Sequence, residues 1–164
     1  MDRRELLAVG VAGVLSSLCA NALAVAKSAT LPSAQDFRAD AQRAGQRARL
    51  VIVLFSLPDC PYCDQVRGEQ LMPLVRDRSQ SERLVVREVS IVGTRALIDF
   101  GGSQTTEAAF AKQVHAKFSP TVAFFDPAGD QVAPAIVGAR LPDFYGAYLD
   151  EAIQLGLSKI GGRT

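Results

Sequence analysis

Apolar residues along the chain form two kinds of pattern, which together predict an α-β-α-β-α-β-β-α order of elements. Strands are indicated where apolar and β-branched residues run continuously, and helices where apolar residues recur every three or four positions. The predicted strands are residues 50–57, 84–91, 121–125 and 131–137. The predicted helices are residues 33–47, residues 61–78 with a kink at Pro73, residues 107–117, and a last helix opened by Pro142 and Asp143.

Local sequence signals predict where some of these elements begin and turn. The sequence Ser33-Ala34-Gln35-Asp36 is typical of a capping box, in which Ser33 caps the first helix and Asp36 returns the bond. The sequence Asp-Pro-Ala-Gly-Asp at residues 126–130 predicts a hairpin between the last two strands. Residues 93–106 contain a Gly-Gly pair and no clear periodicity, so we expect an irregular insert there.

Apolar spacing also predicts which helix faces are buried. In the third helix, Phe110, Val114 and Phe118 share one side. The predicted inner face of the last helix consists of Phe144, Ala147, Tyr148, Ala152 and Leu155. A strand-helix-strand unit followed by a hairpin and a covering helix makes one sheet between helical layers. The fold class is therefore α/β, with a central mixed four-stranded sheet flanked by helices.

Composition excludes some classes of function. The 164 residues include 18 basic and 17 acidic side chains, for a formal net charge of +1. Neither sign is concentrated along the chain, so there is no electrostatic case for nucleic acid or for an anionic membrane surface. The chain has three cysteines, one histidine and no tryptophan, which leaves few reactive groups.

Residues 1–24 have the pattern of a cleavable signal peptide. Arg3 and Arg4 precede an apolar run over residues 6–20, which is followed by the small-residue sequence Ala-Leu-Ala at residues 22–24. The run is shorter than the roughly 20 residues a spanning helix needs, which argues against a retained anchor. The two arginines resemble a twin-arginine signal, and the choice between that export route and the general one stays open. We expect export to the periplasm, with residues 25–164 as the mature domain.

Cys19 lies in this leader, so the mature chain keeps only Cys60 and Cys63. A Cys-x-x-Cys pair can belong to a zinc site, a structural disulfide or a redox centre. Zinc takes about four ligands, and the mature chain offers two sulfurs and the distant His115. A disulfide closing so small a ring stabilises a fold weakly. These arguments favour the redox centre.

The position of the pair explains how it would react. Cys60 follows a buried strand and stands at a helix N-terminus, where free amides and the helix dipole favour a thiolate. Such a site lowers a thiol pKa from its usual ~8.5, and the thiolate is the attacking species. Cys63, one turn later, would resolve the mixed disulfide that Cys60 forms. Pro61 removes an amide hydrogen and Asp59 adds a carboxylate, and both features mildly favour a reductant.

Two segments of the chain resemble the thioredoxin superfamily. The first strand, Cys60-Pro61-Tyr62-Cys63 and the following helix are similar to that family's active-site half, and Ser119-Pro120-Thr121 with its apolar strand is similar to the second half. The resemblance implies that Pro120 has a cis peptide bond and faces the cysteines. It also implies that Ser119, Pro120 and Thr121 bind substrate, with Ser119 lending backbone groups to an incoming peptide.

Within the superfamily, the chain most resembles periplasmic thioredoxin-like proteins of the SoxW type, associated with sulfur-oxidation gene clusters. The shared features are the insert at residues 93–106 and the Phe-Phe-Asp-Pro-x-Gly hairpin. The tetrapeptide also resembles those of glutaredoxins and periplasmic isomerases. Glutaredoxins fit less well because the chain is expected to be exported, and the isomerases because there is no room for their dimerisation domain.

The chain departs from thioredoxins proper at two places. Asp59 stands where they have tryptophan, and Leu54 where they have a buried aspartate. The family's internal proton acceptor is therefore missing. Glu69 could replace it through water, although a solvated helix-face carboxylate is the simpler interpretation. His115 is best interpreted as a C-terminal helix cap.

We therefore expect an exported thiol–disulfide oxidoreductase with Cys60 and Cys63 as the catalytic pair and Asp59, Pro61 and Tyr62 in support. The favoured direction is reduction or interchange of disulfides in other envelope proteins, with a membrane protein as electron donor. We expect a monomer without cofactor, metal or nucleic acid. Two alternatives stay open: an oxidase that donates its disulfide, and a non-enzymatic Cu(I)-binding thiol chaperone.

Overall fold

The computed structural model describes residues 30–45, 50–139 and 142–162. The predicted leader, residues 1–24, lies outside these ranges. The strands are β1 Leu50–Ser56, β2 Leu84–Ser90, β3 Ala96–Ile98, β4 Gln104–Thr106, β5 Thr121–Phe125 and β6 Gln131–Val137. The helices are α1 Phe37–Gly45, α2 Pro61–Gln65, α3 Met72–Arg76, α4 Glu107–Gln113 and α5 Pro142–Gly161, and a π-helical turn, Val66–Leu71, joins α2 to α3.

Four strands form the central sheet in the order β2-β1-β5-β6. β1 pairs in parallel with β2 and antiparallel with β5, and β5 pairs antiparallel with β6. The mixed four-stranded α/β fold is confirmed, and its elements follow in the predicted order, with two short strands, β3 and β4, added between β2 and α4. Every residue of β1 is buried, as its unbroken apolar sequence predicts for a strand covered on both faces.

A separate apolar core covers each face of this sheet. Alternate residues of a strand point to opposite faces, so β1 contributes Leu50, Ile52 and Leu54 to one core and Val51, Val53 and Phe55 to the other. The first core packs against α5 and the π-helical turn. The second packs against α1 and α4 and contains stacked phenylalanine rings, including Phe37 and Phe100 with ring centroids 4.8 Å apart.

The prediction of a capping box that begins at Ser33 is wrong. Helix α1 begins at Phe37, and its cap is Asp36, whose carboxylate accepts a hydrogen bond from the Ala39 amide at 2.7 Å. Ser33 instead forms a parallel bridge with Glu88 at the outer edge of β2. The backbone N–H and C=O groups of an edge strand need hydrogen-bond partners, and the segment before α1 supplies them here.

The helix that follows Cys60 runs over residues 61–76, and we call it the cysteine helix. The sequence predicts a helix over residues 61–78 with a kink at Pro73. The observed one ends at Arg76, and its irregularity is a π-helical turn at Val66–Leu71. Pro73 occupies the first turn of α3, where its missing N–H costs little. Such π turns often occur at functional sites.

The insert at residues 93–106 is not irregular. It contains a two-stranded antiparallel ribbon in which β3 pairs with β4, from Ala96 opposite Thr106 to Ile98 opposite Gln104. Three-residue strands carry too little periodicity to be recognised in a sequence. Leu97 anchors the ribbon in the second core.

Two predicted helix faces need correction. Helix α4 ends at Gln113, so Phe118 lies outside it and is 67% exposed. In α5 the buried residues are Tyr145, Leu149, Ala152, Ile153 and Ile160, whereas Phe144, Tyr148 and Leu155 are exposed. The apolar stripe of α5 is therefore offset by one residue from the predicted one. No helix in the described ranges is long and apolar enough to cross a membrane.

The hairpin between β5 and β6 provides a test of the fold. Gly129 has φ +88°, and a Cβ atom there would lie 2.7 Å from Cβ of Phe100. Gly129→Ala should therefore lower the free energy of unfolding by about 2 kcal/mol, from backbone strain and overpacking. Denaturant unfolding measures the change.

Gly68→Ala is the matched control. It lies in the cysteine helix, and a Cβ atom there would meet nothing within 4 Å. Alanine is the better helix former, so stability should rise by about 0.5–1 kcal/mol. Equal unfolding midpoints for the two variants would contradict this account of the turn.

Candidate active site

Cys60 and Cys63 lie where β1 ends and the cysteine helix begins. Cys60 is the N-cap residue of α2, with an extended backbone, and its sulfur accepts a hydrogen bond from the Cys63 amide at 3.2 Å. The two sulfurs are joined in a disulfide. Cys63 is fully buried and Cys60 is partly exposed, so only Cys60 can be reached by a partner. This is the asymmetry expected of an attacking and a resolving cysteine.

Ser119 and Pro120 face the disulfide from the start of β5. Their peptide bond is cis, as the resemblance implies. The Ser119 Oγ atom lies 2.9 Å from Cys63 Sγ and 3.6 Å from Cys60 Sγ. Because neither sulfur of a disulfide carries a hydrogen, only the Ser119 hydroxyl can donate, and its single hydrogen is best placed for the shorter contact with Cys63 Sγ. The sequence did not indicate this role for the side chain.

Thr121 has a different role from its two neighbours. It is buried, and its hydroxyl donates a hydrogen bond to the Phe118 carbonyl at 2.8 Å. That bond closes the turn that carries Ser119 and Pro120. The side chain of Thr121 therefore holds the loop, and its part in substrate binding stays a prediction.

Exposed residues surround the cysteine pair. Asp59, Pro61 and Tyr62 are all exposed, and Tyr62 is 64% exposed. Asp59 has φ +53°, a left-handed conformation that aspartate tolerates better than most residues. Phe118 is exposed and directly precedes Ser119. The disulfide thus lies among side chains that a partner protein can touch.

The structure shows a charged network between the cysteine helix and β2 that was not predicted from the sequence. Leu54, at the position of the family's acid, is fully buried among apolar side chains. Its register partner on β2 is Glu88, whose carboxylate accepts hydrogen bonds from Ser56 and Arg67. In the sequence, the sign of this network is the charged pair Arg87-Glu88 inside the mostly apolar strand β2.

Glu69 and His115, the two other residues discussed from the sequence, form hydrogen bonds with groups other than the cysteine sulfurs. Glu69 is exposed and accepts a hydrogen bond from the Gln65 side chain at 3.1 Å, the solvated helix-face position that was favoured. His115 follows the end of α4 with φ +59°, and its amide donates to the Lys112 carbonyl. It terminates the helix in a left-handed conformation that glycine usually provides.

Comparison with known proteins agrees with this geometry. A family model described as a thioredoxin-like domain matches residues 37–153. None of the curated proteins compared with the chain matches it.

Solved structures similar to the chain include a thioredoxin from Malassezia sympodialis (Mala s 13), at 18% identity, with 78% of this chain and 96% of that chain covered and a TM-score of 0.48. Mitochondrial thioredoxin 3 from Saccharomyces cerevisiae is 13% identical, with 76% and 93% covered and a TM-score of 0.47. The periplasmic thioredoxin SoxS from Paracoccus pantotrophus is 17% identical, with 65% and 98% covered and a TM-score of 0.43.

The family match covers both halves of the site, from α1 through the cysteine pair and the Ser119–Pro120 bond into α5. The thioredoxin-like fold and the Cys60–Cys63 disulfide support thiol–disulfide oxidoreductase chemistry. The chain belongs to the family of thioredoxin-like domains.

Proposed function

We propose that this chain is an exported thiol–disulfide oxidoreductase that reduces or interchanges disulfides of other envelope proteins. The observation that carries the proposal is the disulfide between a partly exposed Cys60 at a helix N-terminus and a buried Cys63, facing Ser119 and Pro120. Export is supported by the signal-peptide pattern of residues 1–24. The insert and the hairpin support the finer resemblance to SoxW-type proteins.

The reaction follows from the different positions of the two cysteines. In the reduced protein, the Cys60 thiolate attacks one sulfur of a partner disulfide, which breaks the partner's S–S bond and releases its other sulfur as a thiolate. Cys63 then loses its proton and attacks Cys60 Sγ in the mixed disulfide. The Cys60–Cys63 bond forms, the partner leaves as a dithiol, and two electrons have moved to it. A membrane donor would reduce the pair again.

Ser119 also supports this chemistry. Its hydroxyl lies 2.9 Å from Cys63 Sγ, so it can donate to the thiolate that forms there during resolution. A reduced sulfur, and a thiolate most of all, is a stronger hydrogen-bond acceptor than a disulfide sulfur, so this bond favours the reduced state. By resemblance, the Ser119 backbone pairs with the incoming peptide, and exposed Tyr62 and Phe118 flank the place where that peptide would lie.

Trapping of partners tests the enzymatic proposal. Cys63→Ser should accumulate mixed disulfides between Cys60 and envelope proteins, because the resolving thiol is missing. Cys60→Ser is the control and should accumulate none, since Cys63 is buried. Diagonal gel electrophoresis and mass spectrometry identify the adducts. A Cys63→Ser protein that yields none in periplasmic extracts would favour a thiol chaperone over an enzyme.

The reduction potential tests the direction of electron flow. Asp59 beside Cys60 and the missing amide hydrogen of Pro61 both disfavour the thiolate, so the protein should be a reductant. Equilibration with glutathione buffers should give a potential nearer the ~−270 mV of thioredoxin than the ~−120 mV of a strong oxidase. A value close to the oxidase would replace the reductase by the disulfide-donating alternative.

Substitution of Ser119 tests the hydrogen bond to the sulfurs. Ser119→Ala should lower the potential by about 20 mV, because about 1 kcal/mol of stabilisation of the reduced state is lost. Ser119→Thr keeps the hydroxyl and should stay close to the native value. If both variants shift equally, the hydroxyl is not the cause.

A further inference from the structure

Glu88, Arg67 and Asp64 form a group of charged side chains that connects the cysteine helix to the sheet. Arg67 Nε donates to Glu88 Oε2 at 2.9 Å, and Arg67 Nη2 donates to Glu88 Oε1 at 2.7 Å. Arg67 Nη1 donates to Asp64 Oδ1. The side chains of Arg67 and Glu88 are only 15% and 17% exposed, whereas that of Asp64 is 70% exposed.

Glu88 is fixed from three sides. It pairs with Leu54 in the register of β1 and β2. On the free edge, its amide donates to the Pro32 carbonyl at 3.0 Å and its carbonyl accepts from the Ala34 amide at 2.9 Å. The carboxylate itself accepts a hydrogen bond from Ser56 Oγ at 2.6 Å. Because backbone and side chain are both held, Glu88 offers Arg67 a carboxylate in one defined place.

Arg67 is close to the cysteines along the cysteine helix. It lies four residues after Cys63, and residues at this spacing are neighbours on a helix surface, with Cβ atoms about 5–6 Å apart. Asp64, its second partner, directly follows Cys63. The two-point bond between guanidinium and carboxylate therefore fixes the turn of helix that carries the resolving cysteine.

The charges in this network do not cancel. The hydrogen bond with Glu88 raises the pKa of Arg67 above its ordinary value, against the opposing effect of burial, so Arg67 stays a cation. Two carboxylates oppose this one cation. The network therefore carries a sum of about one negative charge, one helical turn from Cys63. Its Arg67–Glu88 pair is largely buried and so weakly screened, whereas Asp64 is exposed.

We propose that Glu88 is a positioning residue of the redox site, which through Arg67 sets how readily the cysteine pair accepts electrons. This rests on the proposed function, since it concerns the same thiol–disulfide exchange. Leu54 leaves the central strand without a titratable group, and Glu88 supplies a fixed carboxylate at the paired position of the neighbouring strand. Its negative charge disfavours the thiolate, and the Arg67 cation limits that effect.

Removing each charge in turn should move the thiol–disulfide equilibrium in opposite directions. Glu88→Gln removes a negative charge and keeps a polar group of the same shape, so the reduced state should be favoured by about two- to tenfold. Arg67→Gln leaves two carboxylates without their cation, so the reduced state should be disfavoured by a similar factor. Arg67→Lys keeps the charge but loses the two-point bond, so its shift should have the same sign as that of Arg67→Gln and be smaller.

The experiment equilibrates the full-length mature protein with glutathione buffers at about pH 8, where carboxylates are ionised. Unfolding temperatures are measured in parallel. A purely structural ion pair would lower the unfolding temperature of both Glu88→Gln and Arg67→Gln without separating their equilibrium constants. Opposite shifts of the two constants support the positioning role, and shifts of the same sign, or none, overturn it.

The ion pair between Asp40 and Arg87 provides the matched control. Arg87 is the residue next to Glu88 in β2 and points to the other face, where its Nε donates to Asp40 Oδ2 at 2.8 Å. Asp40 is buried and lies on α1, which does not carry the cysteines. Asp40→Asn should lower the unfolding temperature and leave the equilibrium constant unchanged. A shift equal to that of Glu88→Gln would show that any lost ion pair has the effect, and would overturn the proposal.

Failure of this inference and failure of the proposed function give different results. If the native protein shows no reversible exchange with glutathione, both are wrong. If it exchanges normally while the Glu88 and Arg67 variants do not separate, only the role of Glu88 is wrong. Both results can be read without knowing the natural partner.

Discussion

The pairing of β1 with β5 is the constraint on which the site depends. The antiparallel register places Phe55 opposite Thr121, so the residues just after β1 and those just before β5 meet at one end of the sheet. Cys60 lies on the first of these segments, and Ser119 and Pro120 on the second. A shift by one residue would turn the alternating side chains of β5 to the opposite faces and break both cores. The apolar packing of the sheet therefore fixes the distance between Ser119 and the sulfurs.

The same buried strand decides where polar groups can stand near the cysteines. All of β1 is covered, and an ionised side chain in its middle would need a partner to offset the cost of burial. Leu54 avoids that cost. The carboxylate stands instead on β2, an outer strand of the central sheet, where Ser56 and Arg67 reach it and part of it remains exposed. Charge is thus kept beside the redox site without placing an unpaired ion in the core.

Much of the fold follows from local sequence, because β1 and β5 are unbroken apolar runs and the Asp-Pro-Ala-Gly-Asp turn specifies the hairpin. The face of α5 could not be predicted as safely. Tyr145, Leu149 and Ile153 recur every four residues, and so do Phe144 and Tyr148, so two apolar stripes were available. Only packing against β6 selects between them. The start of α1 was missed for a similar reason, since Ser33 is taken up by the edge of β2 and Asp36 becomes the cap.

The site shows the same division between local and long-range information. The cysteine pair and the Ser119–Pro120 step could be recognised in the sequence, because each is a short motif with its own context. The Glu88–Arg67 contact joins residues 21 positions apart, across a helix and a strand. It depends on the register of β2 and on the π-helical turn in which Arg67 lies, and neither is encoded locally. In the proposed mechanism, the hydroxyl of Ser119 and the carboxylate of Glu88 favour opposite states of the cysteine pair.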